Sequence, residues 1–423
     1  MTAARLFALS AALLAGPGLT GCGAPPEFAA DPARGGPPPS VPDTLTAAVQ
    51  LHVAGEESSL PVHVLGSGDP LRLAFDRLVD DTGRPLEVTF VHTDRDGRED
   101  LLPTEYLTGF DRDDITDYQR SGFTGVPYVH YEYTFPNPRI GFRVSGQYRL
   151  EVRDAGQLLF TRPFLVVEPL AEVELGFGTT LAGGGAGVTI QPAARLTPGP
   201  RLAGFDAFQY TVCFARDGRL EAPRCAPEPS AIDQAFFQYY LRREAAFEPA
   251  EPMFQLDLGL LSLNAQVVQL DPAAQPPTAV LDLDYADFGG EVLDAVLATA
   301  PIIDGAFQDV GRARTDARYV DVRFRYVPPG SRQIARPVYV LGGFNGWQPS
   351  PTNRMEWIAA EGHYERTIRL KQGRYVYGYV SPGGPARAGF SLGQPTLFTA
   401  LVFLRDPGRF TDRLVAVESV VAR

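Results

Sequence analysis

From about Leu45 onward the chain alternates apolar and polar positions with a period of two. Leu86, Val88 and Phe90 alternate with Glu87 and Thr89. Tyr131, Tyr133 and Phe135 alternate with His130, Glu132 and Thr134. Tyr148, Leu150 and Val152 alternate with Arg149, Glu151 and Arg153. Such a pattern predicts strands with one face on a core and one in water. Turn signals separate the runs: Asp81-Thr82-Gly83, Asp96-Gly97 and Pro136-Asn137-Pro138. Glu99 to Val126 lacks the alternation and reads as a long loop with a short helical turn. Phe164-Leu165-Val166-Val167 makes a closing strand, so a first β-sandwich is expected over residues 45–168.

A middle β domain is expected over 169–312. In it Phe208, Tyr210 and Val212 alternate ahead of an Arg216-Asp217-Gly218-Arg219 hairpin turn. Gln234 to Glu244 is a helix candidate there, with a strand as the alternative. A third domain is expected over 313–423. Val320, Val322, Phe324 and Tyr326 alternate with Asp321, Arg323 and Arg325, and Tyr375, Tyr377 and Tyr379 share one strand face after a Lys371-Gln372-Gly373 turn. The prediction is an all-β protein of three consecutive β-sandwich, immunoglobulin-like domains.

The N-terminus reads differently. After Arg5 comes an apolar run, Leu6 to Ala15, too short to span a bilayer but long enough for a signal peptide. It leads to Leu19-Thr20-Gly21-Cys22, which resembles the lipobox of bacterial lipoproteins. That resemblance implies removal of residues 1–21 and lipidation of Cys22. Gly23 to Thr44 holds seven Pro and three Gly. With little to bury, residues 22–44 are expected to be a tether that reaches roughly 70 Å in polyproline form.

Composition narrows the functional classes. A chain of 423 residues needs two or three domains, and 26 Phe with 17 Tyr suit half-buried sheet faces. The net charge of −12, without a Lys/Arg cluster, argues against nucleic acid and against electrostatic adhesion to anionic lipid. Cys213 and Cys225 flank the predicted hairpin turn. They are a candidate disulfide or two buried thiols, and the export signal favours the disulfide.

Candidate chemistry is sparse. Asp94-Arg95-Asp96-Gly97 has its Gly too early for a calcium loop, and Asp111, Asp113 and Asp114 lack ligand spacing. Gly183-Gly184-Gly185-Ala186-Gly187 precedes a strand pattern, where a phosphate cradle needs a helix N-terminus. No nucleophile elbow, zinc-protease or Cys–His motif appears, and the five histidines are dispersed. The expectation is a non-enzymatic protein with no metal and no cofactor.

Several motifs, in order, resemble the plug protein family of the type IX secretion system. The first domain carries Leu73-Ala74-Phe75-Asp76-Arg77-Leu78, Leu107-Thr108-Gly109-Phe110, Ile115-Thr116-Asp117-Tyr118-Gln119-Arg120-Ser121, Tyr128-Val129-His130-Tyr131 and Phe135-Pro136-Asn137. The third adds Tyr319 to Phe324, Gly343-Phe344-Asn345-Gly346-Trp347 and Leu370 to Tyr375. The likeness spans about Leu45 to Val380 and departs most in the middle, at Met253 to Leu258. It implies a lipid-anchored protein on the periplasmic face of the outer membrane that seals the mouth of a β-barrel translocon. Gly23-Ala24-Pro25-Pro26 lacks an acidic surface-export cluster, in keeping with that face. Gly343 to Trp347 is also similar to glycogen-binding and isoamylase N-terminal modules. There Trp347 would stack on sugar, and the alternative function is carbohydrate binding. The simpler alternative packs Trp347 in the sandwich core beside an Asn-Gly turn.

Overall fold

The computed structural model describes residues 43–122, 125–181, 188–220, 222–247, 253–286, 315–382 and 396–422. Cys22 and the glycine run 183–187 lie outside them. The described chain is built almost entirely of antiparallel strands arranged as three sandwiches.

In the N-terminal sandwich, one sheet orders Thr46–Val53, Leu71–Arg77, Val129–Phe135 and Asp117–Arg120. The other orders Val62–Val64, Gln157–Val167, Gly146–Asp154, Leu86–Thr93 and Arg112–Ile115. The alternating apolar positions face inward. Leu73, Phe75, Val88, Phe90, Tyr148 and Leu150 share one core, with Phe75 packed edge-on to Phe160 and Phe90 to Phe164. Glu99 to Val126 is more ordered than its sequence suggested. It forms a helical turn, Pro103–Tyr106, and the strands Leu107–Gly109, Arg112–Ile115 and Asp117–Arg120. The alternation is hidden because an aspartate, Asp113, occupies an inward position, where it is hydrogen-bonded by Tyr133.

The other two sandwiches are not consecutive in sequence, which corrects the expected division at 312/313. The middle one pairs a sheet of Ala171–Leu181, Val188–Pro198, Phe237–Tyr240 and Ala231–Ile232 with a sheet of Arg224–Ala226, Tyr210–Arg216, Thr396–Asp406 and Thr411–Ala422. Its two last strands thus come from the chain's C-terminus, with Tyr210 opposite Leu404 and Arg216 opposite Phe398. The third sandwich takes Phe254–Asp257, Val267–Asp271 and Thr278–Tyr285 from the segment assigned to the middle. It combines them with Tyr319–Val327, Tyr339–Gly342, Glu356–Ile358, His363–Lys371 and Arg374–Val380.

Thr396–Asp406 explains the return. Nine of its positions in succession are buried, so neither face can meet water. One face joins the middle core at Phe398, Ala400 and Val402. The other, at Leu401 and Phe403, packs on Leu165 and Val167 of the N-terminal sandwich. The helix candidate Gln234 to Glu244 is instead the strand Phe237–Tyr240 and a 3-10 turn, Arg243–Ala245. Tyr239 fills the middle core, and helix propensity yields to that burial.

Candidate functional site: three locked junctions

The densest polar chemistry lies where the sandwiches meet. Strand Leu71–Arg77 points Leu73 and Phe75 into its own core and Asp76 out of it, toward the third sandwich. Asp76 is nonetheless fully buried, because that outer face is covered. Lys371 Nζ lies 2.7 Å from Asp76 Oδ2, and Lys371 is only 4% exposed. Tyr319 donates its hydroxyl to Asp76 Oδ2 at 2.7 Å, and His130 Nδ1 lies 2.6 Å from Oδ1. His130 Nε2 reaches Glu132 at 3.2 Å, and Glu132 pairs with Arg72. The ammonium of Lys371 also sits 4.6 Å from the centre of the Tyr128 ring, whose hydroxyl donates to Ala317 O at 3.0 Å. Burial pushes the Asp76 carboxyl up, but Lys371 and His130 together outweigh it and hold the group below its ordinary value. Burial and the Asp76 charge both push the Tyr319 hydroxyl well up, so it remains a donor.

The residues of this node are missed by the alternation pattern, which assigns polar positions to water. One signal was available. Lys371 is the single lysine among 38 basic residues. An ammonium is a compact point charge with three donors, where a guanidinium is a planar fork, so a lone lysine in a chain that otherwise uses arginine marks a position with its own demands.

The N-terminal and middle sandwiches are joined by a second set. Arg95 binds Asp412 at 2.9 Å, and Arg413 binds Glu168 at 2.7 Å. His92 Nδ1 lies 2.7 Å from Asp100, which also accepts from Thr411 Oγ1. Burial raises the Asp100 carboxyl, and the bonds from His92 and Thr411 more than reverse that.

Between the middle and third sandwiches stands Trp347. Gly346 takes a left-handed conformation, and Asn345 bonds Gly342 N and Val340 O, so Asn-Gly does make the turn. Trp347 itself is half-buried and outside the core. The Arg219 guanidinium, from the middle sandwich, lies 4.4 Å over its ring. Cys213 and Cys225 are register partners at the base of the Arg219 hairpin and are disulfide-bonded. Trp357 packs on Tyr364 at 4.9 Å. Both indole rings are thus engaged by protein side chains. A cavity of about 250 Å³ lies where the sandwiches converge, between the Thr46–Val53 edge, Gly218, Phe344 and Leu370.

The remaining polar candidates resolve simply. Asp94 caps its turn through the backbone N–H groups of Asp96 and Arg98. Asp113 is buried, whereas Asp111 and Asp114 are exposed. Glu361, His363 and Glu365 do converge, with His363 Nε2 2.9 Å from Glu365 and 3.6 Å from Glu361, as a histidine between two carboxylates.

Residues 46–168 match the family model described as "Type 9 secretion system plug protein 1st domain". The N-terminal sandwich is a plug protein first domain. The plug domain ties the chain to type IX secretion, implies association with an outer-membrane translocon component and an envelope location, and points to a non-enzymatic structural protein. A solved structure, a hypothetical protein from Parabacteroides merdae ATCC 43184, superposes with a TM-score of 0.76 at 24% identity. The match covers 90% of this chain and 98% of that one, so the likeness extends to the fold beyond the plug domain. A comparison with curated proteins gives no match.

Proposed function

We propose that this chain is a lipid-anchored plug that seals the periplasmic mouth of the type IX outer-membrane barrel. The observation that carries this reading is the interlocking of the three sandwiches. A plug must be wider than one small domain and must not bend out of the pore. The C-terminal strands of this chain return to the middle sandwich and lie against the N-terminal one, and Asp76–Lys371 ties the N-terminal sandwich to the third. Interfaces between domains of one chain are usually small and polar, and relative motion is their default. Here two of them share buried apolar cores or buried ion pairs, which favours a body of fixed shape.

Cys22 supplies the anchor in this reading. Tethering raises the local concentration of the plug at the barrel without demanding high intrinsic affinity. The mechanism is steric, and no side chain performs a reaction. Affinity capture from solubilised outer membranes with the full-length chain tests it. Recovery of a large barrel protein is expected, and recovery of none would contradict it.

A further inference from the structure

Exposed aromatics are ordinary when scattered singly. Phe110 is different because it is held in place. It is 57% exposed, at the end of the Leu107–Gly109 strand that pairs with Ile140–Phe142. The turn that presents it admits only glycine at position 109. Gly109 has φ +89°, and a Cβ there would lie 2.0 Å from Arg139 O. Phe110 N donates to that same carbonyl at 3.0 Å.

Arg139 then completes a pair. Its guanidinium lies 4.9 Å from the Phe110 ring centre, and its side chain is 56% exposed. Arg139 Nε is fixed at 2.6 Å by Asp113 Oδ1, and Asp113 is buried. Tyr133 donates to Asp113 Oδ2 at 2.9 Å. Asn137 Oδ1 accepts from the backbone N–H of Arg139 at 2.9 Å and of Ile140 at 3.1 Å. A buried polar scaffold therefore serves to hold one aromatic ring and one guanidinium out in solvent.

Aromatic residues and arginine dominate the energetics of protein interfaces, and a side chain already fixed in place loses less entropy on binding. We infer that Phe110 and Arg139 form the anchor of a protein-docking epitope on the N-terminal sandwich. Its partner segment carries an apolar side chain for the ring and, beside it, a carboxylate for the guanidinium. A carboxylate is the natural complement because Arg139 uses Nε for Asp113, and its two Nη groups are the fork for an incoming anion. This inference rests on the plug reading for the identity of the partner, and adds the face that meets it.

The test is affinity capture from outer membranes with the full-length chain and its Phe110→Ala, Arg139→Ala and Arg139→Lys variants, each first checked for an unchanged melting temperature. Wild type recovers the barrel, Phe110→Ala and Arg139→Ala each lower recovery at least tenfold, and Arg139→Lys falls between. Undiminished recovery by both alanine variants would overturn the epitope while leaving the plug reading intact. Recovery of nothing by wild type itself would sink the plug reading. A fall confined to self-association of the chain would overturn the assigned partner. A melting temperature lowered only in Arg139→Ala leaves Phe110→Ala, which removes no scaffold bond, as the deciding variant.

Discussion

Lys371 of the third sandwich lies 2.7 Å from Asp76 of the N-terminal sandwich, and both are out of water. Asp76 is met across the junction by Lys371 and Tyr319 and within its own sandwich by His130, while Lys371 is met across the junction by Asp76 and the Tyr128 ring. Separating the domains would leave Asp76 facing solvent beside His130, and would return Lys371 to water from the Tyr128 ring. The pair is therefore a latch whose cost and gain both depend on the junction being closed. Removing one partner of a buried pair typically costs about 3–5 kcal/mol, while removing both is often far less harmful. Lys371→Met is expected to lower stability by about 3 kcal/mol in denaturant unfolding. Asp76→Asn with Lys371→Met is expected to cost less than the sum of the single changes by at least about 1.5 kcal/mol.

Much of the fold was legible in the alternation of residues such as Leu86, Val88 and Phe90, since a sheet with one buried face must write its period into the chain. The junctions were not. Period two says that Asp76 and Glu132 lie on the face opposite Phe75 and Tyr131. It does not say whether water or another domain covers that face. The exchange of strands between the later sandwiches was hidden for the same reason, because pairing partners far apart in sequence leave no local trace. The apolar stretch Leu397–Leu404, interrupted only by Thr399, was the one hint, since a strand buried on both faces needs two cores. Trp347 had two sequence readings, a core side chain and a sugar platform. Neither anticipated Arg219, which comes from a different sandwich.

Asp284 gives a pH dependence of opposite sign to that of Asp76. Burial pushes its carboxyl up to about 7, against the bonds donated by Tyr379 and Tyr377. The folded state therefore holds a proton that the unfolded chain releases at lower pH. Stability from this site is present at about pH 4 and is lost as pH rises to about 7. Asp284→Asn keeps an acceptor for both tyrosines and has no charge to bury. It is expected to raise stability at pH 8 by roughly 2–4 kcal/mol and to change it little at pH 4. Equal effects at both pH values would rule out the ionisation as the cause.

The depressed Asp76 carboxyl predicts the acid limit. A folded-state value below the unfolded one contributes stability above about pH 4, and that contribution disappears as pH falls through the folded-state value. Wild type is expected to lose stability more steeply than Asp76→Asn as pH falls below about 4. Parallel acid-unfolding curves would show that Asp76 is not the titrating group.

The Cys213–Cys225 bond holds the base of the hairpin that lays Arg219 on Trp347. Replacing both cysteines by serine is expected to cost about 3 kcal/mol. Arg219→Ala should cost about 1 kcal/mol, the scale of a half-buried cation–aromatic contact. It should nevertheless shift tryptophan emission to longer wavelength by opening the Trp347 ring to water. An unchanged spectrum would mean that the ring is shielded by something other than Arg219.

The most direct test of the plug is the flux of a bulky, otherwise excluded solute into outer-membrane vesicles that carry the barrel, measured with and without the full-length chain. Addition of wild type is expected to stop the flux, and Lys371→Met, with its latch broken, to stop it incompletely. A flux that wild type leaves unchanged, in vesicles to which it demonstrably binds, would contradict the sealing role.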